Sequence, residues 1–185
     1  MINGYGRLLH SSQSYIINDT CHQIIQFAKE HNADVIVLEY LKKMRIPKGF
    51  YGAKRLRFTL RYWRKTAIQN KVTEMAHYVG LRISHIVARN TSALAFDGSG
   101  FVTRNPKKDM ATFTTGKVYH ADLSASYNIG ARYFIRELLK PFSEMERLSV
   151  QAKVPELAKR TNQTLSSLIS LYLALEPTAL THSEV

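Results

Sequence analysis

The sequence predicts an α/β fold with parallel strand pairing, and three observations predict it. Residues 14–32 carry an apolar stripe at helical spacing, Asp34 to Glu39 is a short β-branched run, and a long helix and a second strand follow in turn. Strands that alternate with helices favour parallel pairing, because a parallel neighbour is reached only through a crossover.

In the first helix, Ser14 to Asn32, residues Ile17, Cys21, Ile24 and Ala28 recur at i, i+4, i+7 and i+11 and form the stripe. Asp34-Val-Ile-Val-Leu-Glu39 then reads as a strand buried on both faces, since its apolar run is short, branched and unbroken. Lys42 to Ala53 holds Pro47, Gly49 and Gly52 and reads as a mobile basic loop. Lys54 to Val79 is the longest helical pattern, with Leu56, Leu60, Trp63, Ala67, Val72, Ala76 and Val79 on its buried stripe and Gly80 as its stop. Leu81 to Val87 is a second strand, with Leu81, Ile83, His85 and Val87 expected on one face. From Arg89 to His120 the chain reads as irregular, with turns at Asp97-Gly-Ser-Gly100, Asn105-Pro106 and Gly116. Asp122 opens a helix that runs to about Lys140, where Pro141 helps to stop it. A helical tail follows, strongest from Thr164 to Leu175. Two strands make a poor sheet, so the layout suggests part of something larger.

A length of 185 residues favours one domain, and an apolar fraction of 45% is enough for a core. The 26 Lys and Arg against 14 Asp and Glu give a net charge of +12, which points to polyanionic partners, nucleic acid first and an anionic membrane surface second. The charge is clustered. Between Tyr40 and Thr73 there is no acid, while Lys42, Lys43, Arg45, Lys48, Lys54, Arg55, Arg57, Arg61, Arg64, Lys65 and Lys71 all fall there. Such a block repels itself unless a polyanion or solvent neutralises it. Arg57, Arg61 and Arg64 share one helix face and suit a phosphate track, and Tyr62 is placed to stack on a base. The same block also fits a solvated basic face. Cys21 is the single cysteine, so an intramolecular disulfide is excluded and a small buried thiol is expected. Residues 1–7 lack the apolar stretch of a signal peptide, and no run is long enough to span a bilayer, so a cytoplasmic protein is expected.

Two carboxylates stand out. Glu39 closes a buried strand, where a charge must be hydrated, paired or bound to metal. Asp122 opens a helix. Taken singly, Glu39 also fits a strand-terminal ion pair, and Asp122 fits a first-turn acid favoured by the helix dipole. Together, Ile36-Val-Leu-Glu39-Tyr-Leu41, Thr91-Ser92 and Asp122-Leu-Ser-Ala-Ser-Tyr-Asn128-Ile resemble, in order, the RuvC-like nuclease core of the OrfB (TnpB) proteins of insertion sequences. Ala152-Lys-Val-Pro and Arg160-Thr-Asn-Gln-Thr-Leu resemble the tail of one branch of that family.

The resemblance implies a partial RNase H-like (RuvC) core, strand–helix–strand–helix, over residues 1–140, with residues 88–121 replacing a zinc ribbon and a helical tail over 141–185. It implies that Glu39 and Asp122 are the second and third carboxylates of a triad that holds Mg²⁺ or Mn²⁺, with Ser124 and Asn128 supporting them from behind. Phosphodiester cleavage by two metals needs such oxygen ligands to activate water and to steady the leaving oxygen. DNA, and a guide RNA, are the implied partners, with nucleoid association when DNA is bound. Lys42, Lys43, Arg45, Lys54, Arg57, Arg61, Arg64 and Lys65 are the expected nucleic-acid contacts.

The chain departs from the family in three ways. The acids before Glu39 are Asp19, Glu30 and Asp34, and none is placed to be the first ligand: two lie in the first helix and one begins Glu39's own strand. A separate N-terminal part could supply it. Ala93 to His120 contains no cysteine, and Thr112 and Thr115 stand at the second cysteine pair, ahead of Gly116. A threonine hydroxyl is a poor zinc ligand, so no zinc is expected. Ser124 stands where the family has Asn, while Asn128 is kept. The expected function is therefore a truncated RNA-guided DNA endonuclease of the transposase type, inactive alone. A non-catalytic nucleic-acid-binding or regulatory module is the alternative.

Overall fold

A computed structural model describes residues 4–40 and 65–176, with side chains over 14–40 and 66–176. The class is mixed α/β, and the chain falls into two compact units: Met1–Leu38 with Lys42–Ser84, and Glu39–Leu41 with His85–Val185.

In the first unit, α1 (Gly4–Glu30) packs on α2 (Lys65–Tyr78). Cys21, Ile25 and Ala28 on α1 meet Val72 and Ala76 on α2, and Leu81 completes the buried cluster. The expected stripe is present, with Ile17 and Ile24 at its margin. α1 begins ten residues before the predicted start. Val79, expected on the α2 stripe, is exposed and lies just past the helix end.

Both helices end in the same device. Asn32 (φ 51) and Gly80 (φ 76) take the left-handed conformation. Ala33 N donates to Ala28 O at 2.9 Å and Leu81 N to Ala76 O at 2.9 Å, each spanning five residues. The paired bonds Asn32 N to Lys29 O and Gly80 N to His77 O complete two Schellman caps. Each cap turns the chain directly into a strand: β1 (Val35–Glu39) after the first, β2 (Arg82–Ile86) after the second.

β1 and β2 pair with each other. At one end Arg82 N donates to Asp34 O at 3.0 Å, and at the other Tyr40 N donates to Ile86 O at 2.7 Å. Residue numbers rise together along both strands, so the pair is parallel, as the sequence predicts. Burial differs from expectation. Every residue of β1 is half-buried rather than buried on both faces. Among the described residues β1 has β2 as its one strand neighbour, and a two-stranded sheet leaves an edge and part of each face open. In β2 the expected single face is broken. Leu81 and Ile83 pack in the first unit's core, Ile86 is buried in the second unit, and His85 and Val87 are exposed.

The second unit holds a three-stranded antiparallel sheet, β3 (Thr103–Arg104), β4 (Met110–Thr112) and β5 (Val118–His120), where the sequence suggests irregular chain. These strands are two or three residues long, too short for a periodic pattern to register. Ala95, Ala111 and Phe113 form their core, with Phe96, Val102 and Tyr119 around it. α3 (Ala121–Leu139) follows, then α4 (Glu144–Lys153), a 3₁₀ turn (Pro155–Ala158) and α5 (Leu165–Leu175). Ser143 with Glu146, and Thr164 with Ser167, form capping boxes that fix where α4 and α5 start. Ala131, Ile135, Val150, Val154, Leu157, Leu168 and Leu171 make one core of α3, α4, the 3₁₀ turn and α5. No helix among the described residues is long and apolar enough to cross a membrane.

Candidate functional site

Glu39 and Asp122 both belong to the second unit. Glu39 is the last residue of β1 and half-buried. The bond from Tyr40 N to Ile86 O holds the chain immediately after it against β2. Asp122 lies in the first turn of α3 and is exposed. His120 is the N-cap, and its Nδ1 accepts from Asp122 N at 3.3 Å, which satisfies one of the free amides of the first turn. A carboxylate there is also favoured by the helix dipole.

A short path of hydrogen bonds joins the two positions. β2 runs on from Ile86 into Val87, whose carbonyl accepts from Arg132 Nη1 at 2.9 Å. Arg132 lies on α3, about three turns beyond Asp122. The strand end that carries Glu39 and the helix that carries Asp122 are thus tied to the same stretch of backbone.

Arg132 is the residue that the sequence reading missed. It is 4% exposed, and four of its N–H groups meet backbone carbonyls. Nε donates to Gln163 O at 3.0 Å, Nη1 to Val87 O at 2.9 Å and Arg89 O at 2.8 Å, and Nη2 to Thr161 O at 2.9 Å. Burial pushes its pKa down to about 10. The signal was available: an arginine four residues after Asn128, on the same helix face as Ala121, Ser124, Ala125 and Ile135, sits on a buried stripe.

Asn128, expected to support the carboxylates, is fully buried. Nδ2 donates to Thr91 O at 3.0 Å and Leu94 O at 2.9 Å, while Oδ1 accepts from Leu165 N at 3.3 Å. Both amide protons are spent on backbone. Ser124 is buried on the same side of α3, whereas Asp122 faces solvent. Thr91 of the Thr-Ser pair is also buried, and its hydroxyl donates to Ala88 O at 2.8 Å.

At the expected threonine pair, hydrogen bonds and aromatic rings link the two turns. Thr114 Oγ1 donates to Ser99 O at 2.7 Å, and Thr115 Oγ1 donates to Asp97 Oδ2 at 3.3 Å, with Lys117 Nζ 3.8 Å from the same carboxylate. Burial works against the Asp97 charge, but hydrogen bonds from Ser99 and Thr115, with Lys117 nearby, outweigh it and hold the pKa below the ordinary aspartate value. Phe96 lies 4.9–5.1 Å, centroid to centroid, from Phe113, Tyr119 and Tyr127. Thr112 is exposed on β4.

Lys42, Lys43, Arg45, Lys54, Arg57, Arg61 and Arg64 lie outside the described residues. Lys65 opens α2, and its side chain lies outside them too. Among the described residues no three of His, Cys, Asp and Glu gather closely enough to hold a metal ion. Glu39 and Asp122 have the oxygen chemistry that Mg²⁺ prefers, but the three-carboxylate set of the resembling family is not completed by them. Compared with models of protein families and with curated proteins, the chain matches none.

Proposed function

We propose that this chain binds nucleic acid and carries the second and third carboxylates, Glu39 and Asp122, of a RuvC-like nuclease site of the OrfB type, without the first. The observation that carries the reading is the placement of these two residues, one at the end of a strand of a parallel pair and one in the first turn of the helix after the insertion, in one unit. Parallel α/β architectures gather functional groups at such strand and helix ends. The acid-free run from Tyr40 to Thr73 supports the nucleic-acid half. The finer fold assignment is a partial RNase H-like core. Mg²⁺ or Mn²⁺ would be held by Glu39 and Asp122, and a third ligand would come from elsewhere. No cleavage step follows from two carboxylates.

The test is the purified chain with single-stranded DNA and Mg²⁺ or Mn²⁺. Binding without cutting is expected. Cutting that disappears in Glu39→Ala would overturn the claim of an incomplete site, and no binding at moderate salt would overturn the claim of affinity.

A non-catalytic nucleic-acid-binding module is the second reading. It is favoured by Asn128, whose amide protons serve the fold rather than a carboxylate.

A further inference from the structure

A pocket of about 380 Å³ opens in the second unit between the end of β2, the C-terminal half of α3, α4 and the chain before α5. Its size falls in the range of roughly 300–1,000 Å³ usual for small-ligand sites. Five cations line it, Arg132, Arg136, Lys140, Arg147 and Arg160, and no acidic residue does. None of them belongs to the basic block at residues 40–73.

The arrangement follows from the helix. Arg132 and Arg136 on α3 and Lys140, its C-cap, stand at i, i+4 and i+8 and so share one face. Arg147 reaches the same space from α4, where its guanidinium donates to Leu139 O at 3.0 Å and Lys140 O at 3.1 Å and is held in place. Glu137 offsets part of the charge, pairing with Arg136 at 2.8 Å and Lys140 at 3.9 Å. Arg160 is exposed, and none of the hydrogen bonds or ion pairs among the described residues uses it. At the base lies Arg132, whose bonds all run to carbonyls. Carbonyl dipoles satisfy four of its donors but leave its charge unmatched, and a buried unmatched charge is costly. A guanidinium has five N–H donors, so one remains.

We infer that this pocket is a phosphate-binding site, with Arg160, Lys140 and Arg147 contacting the anion and Arg132 supplying the field from below. Guanidinium groups suit phosphate because their planar donors match two oxygens at once. The assignment of the phosphate to a nucleic-acid backbone rests on the proposed function; the pocket's preference for phosphate does not. Such a site would hold the strand against the helix that carries Asp122, about three to five turns from that residue.

The experiment compares the full chain with Lys140→Gln/Arg160→Gln, which leaves Arg132 and its carbonyl bonds intact. Thermal unfolding in phosphate-free buffer first checks that the double variant folds; if it does not, Arg160→Gln alone takes its place. Inorganic phosphate is expected to raise the unfolding temperature of the parent and not of the variant. The slope of log affinity for a single-stranded oligonucleotide against log salt is expected to fall by about 0.7 for each lost phosphate contact. Equal stabilisation of both proteins by phosphate overturns the site. A lost phosphate effect with an unchanged DNA slope overturns the nucleic-acid source and leaves a site for free phosphate. If the parent binds no oligonucleotide while the phosphate effect still disappears in the variant, the proposed function fails and the pocket stands.

Discussion

Asn128 and Arg132 stand one turn apart on α3 and grip the same two backbone segments. Asn128 bonds to Thr91 and Leu94 on one side and to Leu165 on the other. Arg132 bonds to Val87 and Arg89 on the first side and to Thr161 and Gln163 on the second. Seven hydrogen bonds from two side chains therefore fix α3 between the chain leaving β2 and the chain entering α5.

Removing either residue should cost far more than its size suggests. Asn128→Ala strands one buried and one half-buried carbonyl and an amide, so a loss on the order of 2–4 kcal/mol is expected in urea unfolding. Arg132→Met should cost at least as much. The two share both segments, so the double variant should depart from additivity by about 0.5–3 kcal/mol. Additive losses would show that the two grips act independently.

Two glycine turns in the second unit give a second check. Gly98 (φ 81) lies against α5, where an added Cβ would stand 2.8 Å from Ser166 Oγ and 3.0 Å from its Cβ. Gly116 (φ 83) has nothing within 4 Å of such an atom. Each Gly→Ala should cost roughly 1–2 kcal/mol for the left-handed backbone alone. Gly98→Ala should cost more than Gly116→Ala by thermal unfolding, unless Ser166 moves aside freely.

Asp97 makes this part of the second unit sensitive to acid. Its pKa is lowered in the folded chain, so its stabilisation is present above the ordinary value of 3.8 and is lost as pH falls through the lower folded value. Unfolding midpoints taken from pH 6 downwards should converge for the parent and Asp97→Asn below that window. A constant gap across the whole range would remove Asp97 from the explanation.

Glu39→Ala and Asp122→Ala should leave nucleic-acid affinity within about twofold, because neither substitution removes a positive charge, and a band-shift or anisotropy titration measures it. Arg57→Glu/Arg61→Glu/Arg64→Glu should lower both affinity and its salt dependence. An unchanged slope would mean that this face does not touch phosphate.

Much of the fold was legible in the sequence, because burial along a long helix repeats often enough to be seen. Cys21, Ala28, Val72 and Ala76 are buried as their spacing requires, and Gly80 stops its helix in the conformation that glycine accepts most easily. The strand–helix order, Asp122 at a helix start and the helical tail were readable for the same reason. Tertiary structure alone decided the rest. Strands as short as Thr103–Arg104 leave no period to read. Partial burial of β1 depends on how many strands lie beside it, which its own residues do not encode. Asn128 could be picked out by pattern, but its partners lie 34 to 37 positions away in sequence. Those of Arg132 lie 29 to 45 away. A hydrogen bond across such a separation exists only once the chain has folded to bring its two ends together.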